Sequence, residues 1–137
     1  MEIILAENHG FCYGVKRAVE MADEAANSEG KSYTLGPIIH NPQVVGRLES
    51  KGVSPIQEVA DIDEGTMIIR SHGVGPAIYA EAEEKGLHIL DATCPHVKKA
   101  QQDAKSVIED GMTLVILGEK NHPEVKSINL WANNKGI

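Results

Sequence analysis

The sequence predicts an α/β fold built from alternating βα units with parallel sheets. Two observations carry this. Short apolar runs alternate with amphipathic stretches of about ten to fifteen residues, the pattern of βαβ units. Five of the apolar runs end in a turn that carries Cys or His and then opens a helix: Ile3-Ile4-Leu5 to Cys12, Tyr33-Thr34-Leu35 to His40, Met67-Ile68-Ile69 to His72, Ile89-Leu90 to Cys94, and Leu114 to Leu117 leading to His122. In such folds the carboxyl ends of the strands share one edge, where helix N-termini point and ligands bind.

Each element follows from local chemistry. A first strand near Glu2 to Leu5 leads through Asn8-His9-Gly10 to a helix from about Val15 to Asn27, with Gly30 just past its end. Ser32 to Leu35 reads as a second strand before Gly36-Pro37. Asn41-Pro42 carries the N-cap and first-turn proline pair of a helix that reaches Lys51 and stops at Gly52. Val53 to Ile56 forms a short strand, Asp61 to Gly65 a turn and Thr66 to Ile69 a further strand. A helix from Pro76 stops at Gly86, Leu87 to Leu90 is the next strand, Pro95 to Asp110 the next helix, and Thr113 to Leu117 the last strand. Two modules are expected, a first over residues 1–92 and an incomplete second over 93–137, because no sixth strand follows to pair with the fifth.

Composition excludes several classes. Thirteen Lys+Arg against twenty Asp+Glu give a net charge of −7, which opposes nucleic acid and anionic membranes as partners, so any phosphate site is local. No apolar run approaches the roughly 20 residues of a membrane span, and no basic segment followed by an apolar stretch marks export. Two Cys argue against a disulfide scaffold and for a reducing, cytoplasmic setting.

The chemistry-bearing residues occupy the turns. Cys12 lies in Gly10-Phe11-Cys12-Tyr13-Gly14-Val15, where the glycines let the backbone approach a bulky group. A thiol at a helix N-terminus shifts toward thiolate, the metal-binding form. Cys94 repeats the arrangement in Asp91-Ala92-Thr93-Cys94-Pro95-His96. One such Cys is an ordinary half-buried thiol; two in matching turns favour metal ligation, with a mutual disulfide as the remaining option. His40 and His72 both precede helices; either alone reads as a cap or surface residue, while the two together offer imidazole N–H groups and backbone amides to an anion, which would loosen as pH rises through the imidazole range near 6.5 to the extent that protonated rings hold it. His122 adds a third imidazole, with Glu124 two residues on as a proton-relay partner or as an ordinary first-turn acid. His9, His88 and His96 have no definite role, and Lys16-Arg17 and Lys98-Lys99 read as solvated faces. Cys-x-x-Cys, His-Glu-x-x-His and EF-hand patterns are absent, and two Cys are too few to hold an iron–sulfur cluster by protein thiolates alone.

Taken together, Gly10-Phe11-Cys12-Tyr13-Gly14-Val15, the Leu35 to Pro42 loop, Arg70-Ser71-His72-Gly73-Val74, Asp91-Ala92-Thr93-Cys94-Pro95 and His122-Pro123-Glu124-Val125 resemble, in order, the motifs of the hydroxymethylbutenyl diphosphate reductase family. The resemblance spans the whole chain and about the first half of the family's enzyme. It implies three α/β modules around a 4Fe-4S cluster held by three Cys, one per module, with Cys12 and Cys94 matching the first two. By the same resemblance His40, His72 and His122 hold a substrate diphosphate and Glu124 donates a proton. Ferredoxin or flavodoxin supplies electrons, and the allylic hydroxyl leaves as water to give isopentenyl and dimethylallyl diphosphate. The departures are specific: the third Cys is missing, the later Thr and Ser-x-Asn contacts have no counterpart, and Gln101 stands where the family often has His. The resemblance therefore implies an N-terminal portion of the reductase, inactive alone. The alternative is a non-catalytic α/β module in which the thiolates and several His hold zinc or phosphate.

Overall fold

A computed structural model describes residues 1–7 and 9–137. Four strands, β1 (Ser32–Leu35), β2 (Val53–Ile56), β3 (Thr66–Ile69) and β4 (His88–Asp91), form one sheet in the order β2-β1-β3-β4. Every pairing is parallel, with Ser32 opposite both Val53 and Thr66, and Thr66 opposite His88. Helices α1 (Tyr13–Ala26), α2 (Pro42–Ser50), α3 (Pro76–Glu84), α4 (Pro95–Glu109) and α5 (Pro123–Trp131) complete the chain, with a 3-10 turn at Val59–Asp61. The chain leaves β1 toward β2 on one side and returns to β3 on the other, so the direction of strand order reverses between β1 and β3. Open α/β sheets bind ligands at such a reversal.

The sheet separates two apolar layers. Alternation within β3 shows the division: Ile68 packs with Ala18, Ala22, Ile38 and Leu48 beneath α1 and α2, whereas Met67 and Ile69 pack with Val59, Ile62, Ala82 and Leu87 on the α3 face. All three β3 residues are fully buried, as expected for a central parallel strand covered on both faces. The caps behave as their residue types dictate. Asn41 caps α2 by accepting the Val44 N–H at 3.1 Å, and Pro stands in the first turn of α2, α3, α4 and α5. Helices α4 and α5 pack on one another, and α5 leans on the turn after β3 and on α3: Trp131 donates to the Val74 carbonyl at 2.9 Å and lies edge-on to Tyr79.

Two expected strands do not form. Residues 2–5 form no strand among the described residues, with Ile3, Ile4 and Leu5 between 76% and 82% exposed. Among the described residues, 113–117 make two backbone bonds outside their own neighbourhood, both with Ile137, while Leu117 is wholly exposed. Apolar composition favours a strand, but a strand exists only where a neighbour completes its ladder, and neither segment has one among the described residues. Elsewhere the differences are of one or two residues: α1 begins at Tyr13 rather than Val15, and β4 covers 88–91 rather than 87–90.

Candidate functional site

Three imidazoles converge at the carboxyl edge of the sheet. His40 comes from the loop after β1, His72 from the turn after β3 and His122 from the N-cap of α5. Their ring centroids are separated by 4.5 Å (His40–His72), 5.8 Å (His40–His122) and 5.6 Å (His72–His122), and one nitrogen from each lies within 4.8 Å of the others. The first two rings sit on the two sides of the strand-order reversal, and α5 brings in the third.

The rings differ in state. Burial pushes the His72 pKa down to about 4, with the charges of His40, Arg70 and His122 adding to the effect. His72 is therefore neutral near pH 7, and any loosening of an anion near pH 6.5 arises at groups other than His72. Its Nδ1 is buried without a hydrogen-bond partner. The Nδ1 of His122 accepts the Glu124 N–H at 3.2 Å, so the neutral ring carries its proton on Nε2. His40 is exposed, and Glu124, in the first turn of α5, is half-buried.

The turn that carries His72 is fixed from several directions. Ser71 is buried, and its N–H and hydroxyl both donate to the Ile38 carbonyl at 3.2 Å. The Ser71 carbonyl in turn accepts the Cys94 N–H at 2.9 Å, tying the His72 turn to the Cys94 loop. The Ser127 hydroxyl is 2.8 Å from the His72 carbonyl and 2.9 Å from that of Glu124, and it accepts from Gln101 Nε2 at 3.2 Å. Gln101 and Ser127 are almost fully buried, so this link between α4, α5 and the His72 turn is dry. Arg70 lies beside Gly36; burial lowers its pKa, and its Nε has no partner.

Both cysteines are free and stand at N-caps, Cys12 of α1 and Cys94 of α4, and neither side chain makes a capping bond. Gly14 brings the two segments together: a Cβ built there would land on the Cys94 sulfur and 3.1 Å from the Cys94 Cβ. The glycine after Cys12 thus admits Cys94 itself. The Cys94 loop is shaped by Asp91, which accepts the Thr93 N–H at 3.0 Å and pairs with Lys98, and by Arg17, whose guanidinium donates to the carbonyls of Thr93 and Asp91 at 3.3 and 3.4 Å. Burial raises the Asp91 pKa, but the bonds from Lys98 and Thr93 outweigh it and hold the carboxyl below its usual value.

Several sequence readings change here. Arg17 and Lys98 are not merely solvated, since each braces the Cys94 loop; Lys16, by contrast, is exposed and 3.8 Å from Glu20. His88 and His96 are exposed and outside the trio, as is His9, which donates to the Ala6 carbonyl at 2.8 Å. Asp91, Gln101 and Ser127 were not singled out as site residues. Asp91 had a usable signal, an acid two residues before Thr93 at a strand end, which is an Asx-turn pattern. Gln101 is marked only as a departure from the family's His, and Ser127 had no signal, being an ordinary polar residue in a helix.

Comparison with known proteins follows the same outline. A family model described as LytB protein matches residues 3–137. The chain is 53% identical over 135 residues to the 4-hydroxy-3-methylbut-2-enyl diphosphate reductase of Geotalea uraniireducens, covering 98% of this chain and 48% of that protein. It is 54% identical over 132 residues to the reductase of Geobacter sulfurreducens, covering 96% and 47%. A solved structure of (E)-4-hydroxy-3-methyl-but-2-enyl diphosphate reductase, described as the terminal enzyme of the non-mevalonate pathway, superposes with a TM-score of 0.84 at 49% identity, covering 98% of this chain and 49% of that one. The Plasmodium falciparum reductase structure gives 0.91 at 32% identity, with 96% and 42% covered. The chain spans about half the length of the relatives it matches.

Proposed function

The chain belongs to the LytB protein family, and on that premise we propose that it is the N-terminal portion of a reductase that removes the hydroxyl of an allylic diphosphate to give isopentenyl and dimethylallyl diphosphate. The observation that carries this reading is the convergence of His40, His72 and His122 on one edge of a sheet whose adjoining loop holds Cys94 close to the Cys12–Gly14 turn. In this reading residues 1–92 form one module, and residues 93–137 begin a second. The exposed Ile3, Ile4, Leu5, Val115 and Leu117 suit a surface that a further half-chain covers.

The trio holds the diphosphate. His72 presents a neutral N–H donor and His122 its Nε2–H, His40 closes from the exposed side, and the Arg70 guanidinium adds positive charge beside them. Glu124 follows His122 in the same first turn and delivers the proton that the departing hydroxyl needs. Cys12 and Cys94 are suited to an iron–sulfur group. Their thiols are uncommitted, they sit at the positive ends of two helices, and the gap above Gly14 admits the Cys94 sulfur. A 4Fe-4S cluster bound there supplies single-electron reduction and Lewis acidity, its electrons coming from ferredoxin or flavodoxin in the cytoplasm. Among the described residues no helix is long and apolar enough to cross a membrane.

Two cysteines leave such a cluster one protein ligand short, so residues 1–137 alone are inactive. The test is anaerobic reconstitution with iron and sulfide, followed by assay with reduced flavodoxin. No sustained formation of isopentenyl diphosphate is expected; turnover would show that an exogenous ligand or a second copy completes the site. In metal-free buffer inorganic diphosphate should bind the wild-type chain and bind at least tenfold more weakly to His72→Ala. Equal affinities would remove the trio from substrate binding.

A further inference from the structure

We propose that His40, His72 and His122 also form a site for a divalent first-row cation, with zinc the best match, in which three imidazole nitrogens coordinate and water takes the fourth position. The residues come from three separate segments, yet one nitrogen of each lies within 4.8 Å of the others. Zinc at about 2.0–2.1 Å from three nitrogens in tetrahedral geometry spaces them by about 3.3 Å, so closure asks for movements of at most roughly 1.5 Å. His40 supplies that movement: it is exposed, and its side chain makes no hydrogen bond among the described residues. The backbone carrying the other two is fixed, at His72 by the Ser71 and Ser127 contacts and at His122 by the start of α5.

The donor set selects the ion. Three imidazoles with no carboxylate among them suit zinc and its neighbours and offer nothing to calcium or magnesium, which require oxygen ligands. Coordination through Nε2 of His122 moves the ring proton to Nδ1 and gives up the 3.2 Å contact with the Glu124 N–H, a long bond whose loss is small beside a metal–nitrogen bond. The site differs from one built on the two thiols, because neither Cys belongs to the trio. It is also independent of the reductase reading, since ion uptake is measured without diphosphate, iron or sulfide.

The experiment titrates Co2+ into the metal-free chain and follows the absorption spectrum, then displaces cobalt with zinc. Wild type should show saturable, stoichiometric uptake with visible ligand-field bands and no thiolate-to-cobalt charge-transfer band, and the Cys12→Ser/Cys94→Ser chain should behave the same. His72→Ala and His40→Ala should each weaken uptake at least about tenfold, since loss of even an outer contact to a ligand costs that much. Because His40 is exposed, its variant keeps the fold, and circular dichroism checks this. A charge-transfer band that disappears with the two Cys, an absence of saturable uptake, or wild-type affinity in a folded His40→Ala chain would each overturn the site. Failure of the separate diphosphate titration would instead count against the reductase reading and leave the cation site standing.

Discussion

Gly14→Ala sets two effects of opposite sign against each other. Gly14 lies within α1, where alanine is the better helix former by up to about 1 kcal/mol, and less this close to the N-terminus. Its missing Cβ, however, is the space that the Cys94 sulfur occupies, and the new methyl would also lie 3.1 Å from the Cys94 Cβ. Neither neighbour yields easily. Gly14 is buried, and the Cys94 loop is tied to Ser71, Asp91 and Arg17. Overpacking at such a contact costs about 1–3 kcal/mol, so the packing loss exceeds the helix gain and the chain loses about 1 kcal/mol. For a domain of this size that lowers Tm by about 3–5 °C. Thermal unfolding followed by circular dichroism measures the shift. A second reading, in the Cys12→Ser background, measures the rate at which a thiol reagent labels Cys94, which should rise as the sulfur is pushed from its half-buried position. A raised Tm with unchanged labelling would mean that α1 and the Cys94 loop are not in contact through Gly14.

Ser127→Ala removes the acceptor of Gln101 Nε2 and a donor to the His72 carbonyl in a dry region, and should cost about 1–3 kcal/mol in chemical denaturation; a change under about 0.5 kcal/mol would show that those groups find other partners. The Asp91 carboxyl is held below its unfolded value of 3.8, so its stabilisation is complete above that pH and is lost as pH falls through the folded value. Asp91→Asn should therefore lower stability at pH 6 by more than at pH 3, with the difference kept small by the exposure of Lys98, and denaturation curves at the two pH values decide it. His72 has a folded pKa of about 4 against 6.5 unfolded, so its contribution is present above 6.5 and is lost as pH falls through about 4. In an NMR titration its ring signals should not move between pH 8 and 6; a midpoint near 6.5 would show the ring to be solvated.

Much of the fold was legible because it is written locally. Gly30, Gly52, Gly86 and Gly111 all take positive φ just beyond helices, and the Asn41-Pro42 start is a cap with its bond in place. The two failures share one cause. Glu2–Leu5 and Thr113–Leu117 have strand composition, but composition does not supply a ladder partner, and Ile3, Ile4, Leu5, Val115 and Leu117 stay exposed. The site was legible in its residues and not in its assembly. That His40, His72 and His122 each precede a helix is local; that they meet depends on the order β2-β1-β3-β4 and on α5 packing against the turn of residues 72–75. The role of Ser127, and the bond that Gln101 makes to it, exist only after α4 and α5 have packed.

This assembly also settles how the trio responds to whatever binds it. The His72 backbone is tied through Ser71 and Ser127 to the Ile38 loop, the Cys94 loop and α5. His122 is the N-cap of α5 and moves only with the start of that helix. His40 carries no such connections and is exposed. Two of the three imidazoles thus hang from backbone that is fixed before a ligand arrives, which lowers the ordering cost. The same connections run the other way. A ligand that draws His72 inward pulls on the Ser71 carbonyl, and that carbonyl holds the Cys94 N–H at 2.9 Å. The His72 turn and the Cys94 loop are therefore joined directly through the backbone of a single residue, Ser71.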